Sequence, residues 1–132
     1  MHKVISISDD EMTRNVELEN SDTGTIEECF DDSALISDIN FNFLTIGKEY
    51  ECKIELFGTV VQNMQDKTVI CKILSKNEMV GTKEMVKVLV ENNKYYIPRK
   101  KVEKYLDNEM FFFRYTRKDL IEVDNILHSD ML

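Results

Sequence analysis

From residue 50 to residue 56 apolar and charged side chains alternate strictly. Tyr50, Cys52, Ile54 and Leu56 fall on one face, and Glu51, Lys53 and Glu55 on the other. A period of two belongs to an extended strand with one face in a core and one in water, so this segment predicts a half-buried antiparallel strand. Gly58 interrupts the pattern before residues 59–61, where a bulge or sharp bend is expected. Polar residues 62–66 read as a hairpin loop leading into a second strand at 68–74. Val86, Val88 and Val90 alternate with Met85, Lys87 and Leu89, a strand apolar on nearly both faces. Residues 91–94, with two asparagines tolerant of positive φ, predict a tight turn back into Tyr95-Tyr96-Ile97. Pro98 cannot donate to a ladder but suits the start of a helix. Val102, Tyr105 and Leu106 at i, i+3 and i+4 predict a short amphipathic turn or two.

Residues 110–115, the densest aromatic run, predict a strand buried on both faces. At the amino end, residues 3–8 alternate like a strand, and 16–19 and 25–29 flank a hairpin signal at Asn20-Ser21-Asp22-Thr23-Gly24. Residues 33–47 are rich in apolar side chains but follow no single period, which predicts a loop with a short helical or extended piece. Residues 119–127 fit a strand through Ile121 and Val123, with a helix capped by Thr116 as the alternative. The sum is a mainly β fold: eight or nine short strands in a curled antiparallel sheet or small barrel, with one or two short helices. No internal repeat is visible. One proline and four glycines in 132 residues leave no room for a long linker and predict a single domain over 1–132.

Charge divides the chain unequally. Residues 1–38 hold eleven acids against Lys3 and Arg14, a net −9, while residues 39–132 carry fifteen bases and fourteen acids, a net +1. An acidic lobe on a balanced body favours a basic partner and repels nucleic acid. Within it, Glu27, Glu28, Asp31 and Asp32 bracket Cys29 and Phe30, and Asp9, Asp10 and Glu11 form a second run. Carboxylates beside the apolar anchor Phe30 suit the edge of a protein interface, where charge speeds encounter and buried contacts hold the complex.

Chemistry is sparse by comparison. His2 and His128 lie near opposite ends of the chain, so a catalytic pair would require the termini to meet, and no enzyme is expected. Cys29, Cys52 and Cys71 are too widely spaced for a structural zinc pattern, and the acidic runs do not match a calcium loop. No phosphate-cradling glycine motif is present. Neither a cofactor nor a metal is expected.

An odd cysteine count excludes a complete disulfide framework, and each cysteine sits among apolar or strand-like neighbours as a small buried thiol does. The first residues lack a secretion signal, and no apolar run approaches bilayer length. A cytoplasmic location without membrane contact is therefore expected.

Two alternatives remain from the residues themselves. Residues 76–118 hold eleven bases against six acids, with Arg99, Lys100, Lys101, Lys104 and Arg114 interleaved with Tyr95, Tyr96, Tyr105 and Tyr115. That combination fits a small barrel binding single-stranded nucleic acid, although the overall charge of −8 opposes it. The second alternative is an accessory subunit that adds a strand to a partner's sheet.

The segment Glu28-Cys29-Phe30-Asp31-Asp32-Ser33, followed by Tyr50-Glu51-Cys52-Lys53-Ile54-Glu55-Leu56-Phe57-Gly58, resembles small acidic immunity proteins of bacterial contact-dependent growth inhibition and related polymorphic toxin systems. The resemblance implies a cytoplasmic inhibitor that binds one toxin domain, often a cationic nuclease, and blocks its active site without a covalent step. These families differ in fold, so it assigns no residue a role by position. A local second likeness, Tyr95-Tyr96-Ile97-Pro98 followed by Val102, is similar to the strand-to-helical-turn step of SH3-like barrels.

Overall fold

The computed structural model describes residues 1–132 and contains ten strands. They are β1 (His2–Asp9), β2 (Arg14–Asn20), β3 (Ile26–Asp31), β4 (Glu49–Tyr50), β5 (Cys52–Val61), β6 (Thr68–Val80), β7 (Lys83–Val90), β8 (Asn93–Pro98), β9 (Met110–Val123) and β10 (Ile126–Leu127). Two single-turn helices, α1 (Ser33–Ile36) and α2 (Arg99–Val102), complete the regular structure with 3₁₀ turns at Glu103–Tyr105 and Ser129–Met131. The small-barrel expectation is met. β5 to β9 close on themselves: β6, β7 and β8 form a meander, β9 pairs with both β5 and β6, and β8 meets β5 in parallel at Glu55 and Tyr96.

The barrel holds together because its long strands change partners along their length. β9 lies between β6 and β5 through Phe113, and its second half continues along β5 to Val123. A bulge at Phe57 and Gly58 accommodates the bend. A Cβ at position 58 would stand 2.0 Å from the Arg114 carbonyl oxygen, so only glycine permits this approach. The alternation at 50–56 is confirmed on its apolar face, where Tyr50, Ile54 and Leu56 are buried. Glu55, expected in water, is instead only 8% exposed, because the carboxy-terminal turn folds over the outer side of β5.

A lobe of three antiparallel strands, β1–β2–β3, joins the barrel's strand ladder at one parallel pairing, Phe30 with Asp119. β4 extends its free edge for two residues. The loop at 33–47 packs Phe41 and Leu44 into the core, and the Ser33 hydroxyl accepts the Phe41 amide proton at 3.0 Å. Val4, Val16, Leu18 and Cys29 of the lobe and Ile54, Val86, Ile97 and Phe113 of the barrel belong to one continuous apolar cluster. A smaller cluster of Val80, Met85, Tyr96, Ile121 and Met131 lies where the carboxy-terminal turn meets the barrel wall.

Several local expectations are refined. The 110–115 run alternates: Phe111 and Phe113 are buried, Phe112 is half-buried and Met110 and Arg114 are exposed. In the β7–β8 turn Glu91, not an asparagine, takes positive φ, while Asn93 is buried and bonds to the hydroxyls of Thr23 and Thr25. The tail is a strand: β9 turns at Asp124 and Asn125, both at positive φ, into β10. The strand-to-helical-turn step after Pro98 is present, with Val102 and Leu106 buried. All three cysteines are free, two fully buried and one half-buried. Burial pushes the thiols of Cys52 and Cys71 up to about 12 and holds that of Cys29 well above its usual value, which favours the protonated thiol in all three. No helix is long and apolar enough to cross a membrane.

Candidate protein-binding surface of the acidic lobe

Alternation along β3 decides the fate of the acidic run at 27–32. Glu27, Cys29 and Asp31 point into the molecule and Glu28 and Phe30 point out. Glu27 is 1% exposed and accepts from Lys118 Nζ at 2.6 Å and from the Tyr95 hydroxyl at 2.8 Å. This triad joins β3 to β8 and β9. The Tyr95 hydroxyl is held well above its usual range by burial first and then by its bond to Glu27. Asp31, 2% exposed, accepts from Arg14 Nε at 2.8 Å and from the Ser33 amide at 2.9 Å, and the same guanidinium donates to the Phe41 carbonyl.

Asp32 stands 2.6 Å from His128 Nε2. His128 Nδ1 accepts the Asp130 amide proton, which leaves Nε2 as the protonated nitrogen facing Asp32. Glu27 and Asp31 are therefore structural ions, and their expected place on a binding surface is corrected. A buried carboxylate is tolerated only when paired and hydrogen-bonded, and both are.

Other acids remain free. On the outer face of the lobe Glu17 lies directly across the β2–β3 ladder from Glu28, and neither forms an ion pair. Like charges directly opposite destabilise a sheet, and Glu28 also lines a cleft with Lys67, Arg117 and Lys118, none of which it pairs with. The β1–β2 turn and α1 leave the sheet at the same end of the lobe, because Arg14 opposes Asp31 and α1 follows immediately. Asp9, Asp10 and Glu11 in the turn and Asp38 beyond α1 are exposed and take part in no ion pair. Large apolar side chains accompany them: Met12 is 67% exposed, Ile39 64%, Leu35 51% and Ile36 49%. Met12 and these α1-side residues were absent from the sequence-derived site. The apolar run at 33–47 is the only sequence signal for Leu35, Ile36 and Ile39, it does not separate Phe41 inside from Ile39 outside, and Met12 lies beyond it.

Phe30 is half-buried and turns toward β9, where the Arg117 guanidinium lies between its ring (4.6 Å) and that of Phe57 (4.5 Å). It shapes a cleft on the barrel side and is not part of the lobe end.

The bases of the 99–114 region are partly engaged, and Lys101 shares the Phe57 ring with Arg117. Arg99 donates to the Lys76 carbonyl, and Lys101 donates to the Gly58 carbonyl and sits 4.2 Å from the Phe57 ring centre. Lys100, Lys104 and Arg114 are exposed without ion pairs. Tyr95 and Tyr96 are buried, and Tyr105 packs on Phe111, so these three rings offer no open stacking platform. His2 and His128 line different clefts.

The architecture is thus a closed five-stranded barrel carrying a three-stranded acidic lobe. Comparison with known proteins gives no match to any family model, curated protein or solved structure.

Proposed function

We propose that this chain is a non-enzymatic protein-binding inhibitor of the immunity type, which neutralises a cationic toxin domain by occupying its active site. The observation that carries this reading is the lobe end, where Met12, Leu35, Ile36 and Ile39 are exposed and their neighbours in the chain Asp9, Asp10, Glu11 and Asp38 are exposed without ion pairs. Apolar side chains clustered on a surface and rimmed by charge are the signature of a protein-binding site. The rim's single sign selects a basic partner and accelerates its approach. The unpaired Glu17 and Glu28 extend the same potential along the lobe's outer face. The cytoplasmic expectation and the immunity-protein resemblance belong to this reading.

Tagged chain recovered from its native cells is expected to carry one basic protein domain, encoded by an adjacent reading frame. Expressing that domain alone should arrest growth, and co-expressing this chain should restore it. The triple variant Asp10→Lys, Glu11→Lys, Asp38→Lys should lose at least about tenfold in affinity, or 1.4 kcal/mol, and fail to restore growth. An acidic partner, or full rescue by the triple variant, would refute the proposal.

A further inference from the structure

Three carboxylates are buried: Glu27, Asp31 and Glu55. The first two are satisfied by cations of the chain itself, whereas Glu55 makes no hydrogen bond and no ion pair. It opens onto a cleft of about 160 Å³ between β5, β9 and the carboxy-terminal turn. Directly across the ladder from it is Asp119, a second carboxylate on the same side of the sheet. Asp119 is held by Arg117 at 2.5 and 3.1 Å, so the guanidinium is already committed. Asp32 and Asp130 line the same cleft on either side of His128. Four carboxyl groups, with Arg117 and His128, thus line one small space.

The chemistry of the walls narrows the occupant. No three His, Cys, Asp or Glu side chains converge closely enough to hold a metal ion. Phe30, Phe57 and Met131 add apolar surface to a wall that is otherwise polar, which leaves a place for a hydrocarbon stem beside the charged groups. A cavity of about 150 Å³ holds a molecule the size of benzene, so the space matches the last five or six heavy atoms of a lysine or arginine side chain.

We propose that this cleft receives an alkyl cation, an ammonium or guanidinium on a short apolar stem, with Glu55 as its counter-charge. The favoured source is a side chain of the basic partner described above, and to that extent the proposal rests on the same reading. A free amine is the other source.

Burial, then Asp119, pushes the Glu55 carboxyl up to about 7; Lys101 and Arg117 pull it down and Asp130 adds to the rise. His128 faces the cleft with its protonated nitrogen turned to Asp32. A bound cation favours the ionised carboxylate, so binding strengthens as pH rises through 7.

The test is an NMR titration of the full chain with N-acetyl-lysinamide and N-acetyl-argininamide, with N-acetyl-norleucinamide as the uncharged control. Saturable shifts at Glu55, Phe57 and Ile121 are expected with at least one cation, at least tenfold weaker with the control and at least fivefold weaker at pH 5.5 than at pH 8. Glu55→Gln should abolish them. If that variant does not fold, the control and the pH comparison in the parent chain decide. Failure of both cations to saturate, or equal binding of the norleucine compound, would overturn the proposal. Binding of free amines with partner affinity unchanged by Glu55→Gln would support the cleft and refute the side-chain source. The lobe variants at Asp10, Glu11 and Asp38 report separately on the protein interface.

Discussion

Replacing Lys118 with methionine would leave Glu27, almost fully buried, with the Tyr95 hydroxyl as its only remaining donor. Breaking a buried pair from one side exposes the desolvation penalty of the ion left behind, about 3–5 kcal/mol, so Lys118→Met should lower unfolding stability by that order. The double variant Glu27→Leu, Lys118→Met should regain most of the loss in a denaturant titration, because the pair itself contributes little net stability. Glu55 gives the opposite sign. Its carboxyl ionises near 7 in the folded chain against 4.5 when unfolded, so the folded state binds the proton more tightly. The resulting penalty is absent below the unfolded value, grows as pH rises between the two and is complete above 7, at roughly 2–3 kcal/mol. Glu55→Gln should therefore stabilise the protein at pH 8 relative to the parent and lose that advantage at pH 4. An unchanged difference across that range would rule out the assignment.

At the scale of elements, the β5–β9 ladder depends on the close approach at Gly58. Gly58→Ala would drive a Cβ into the Arg114 carbonyl, and a loss of at least about 2 kcal/mol is expected, read as a fall in Tm. Phe41 pins the 33–47 loop to the lobe and is fully buried, so Phe41→Ala should cost about 3–5 kcal/mol. Ile39→Ser, two residues away and largely exposed, should leave stability within about 0.5 kcal/mol of the parent.

The elements also mark how far the sequence could be read. Strict alternation at 50–56 located β5, and the polar turn Asn20-Ser21-Asp22-Thr23-Gly24 located the β2–β3 hairpin. β6 runs on to Val80 through Ser75, Lys76, Asn77 and Glu78, a polar stretch whose strand character comes from pairing with β7 and not from its own composition. Period-two reading of β3, with Cys29 inward, would have placed Glu27 and Asp31 inside as well. No local signal could have buried Glu55, since its cover comes from residues some seventy positions later in the chain.

Across the whole molecule, segregation of charge has two outcomes. Part of the acidic excess is internal, used to bind the lobe to the barrel through Lys118 and to the loop at 33–47 through Arg14. The remainder stays on the lobe's outer face and end, where Lys3 opposes Glu19 but Asp9, Asp10, Glu11, Glu17, Glu28 and Asp38 form no ion pair. Composition predicted the excess but could not divide it between these fates, because the division follows from which strand face meets the barrel. The basic side chains of 99–114 meet the opposite fate. Two of them are drawn into carbonyl contacts, and of the tyrosines beside them Tyr95 and Tyr96 are buried while Tyr105 and Tyr115 are half-buried.

Hydrogen exchange on the chain bound to its basic partner bears most directly on the lobe end as the binding surface. Added protection is expected across residues 9–12 and 34–40, with little change across 99–104 and around Arg114. Protection concentrated on that helical turn and on β9, with the lobe end exchanging as freely as in the unbound chain, would contradict the account.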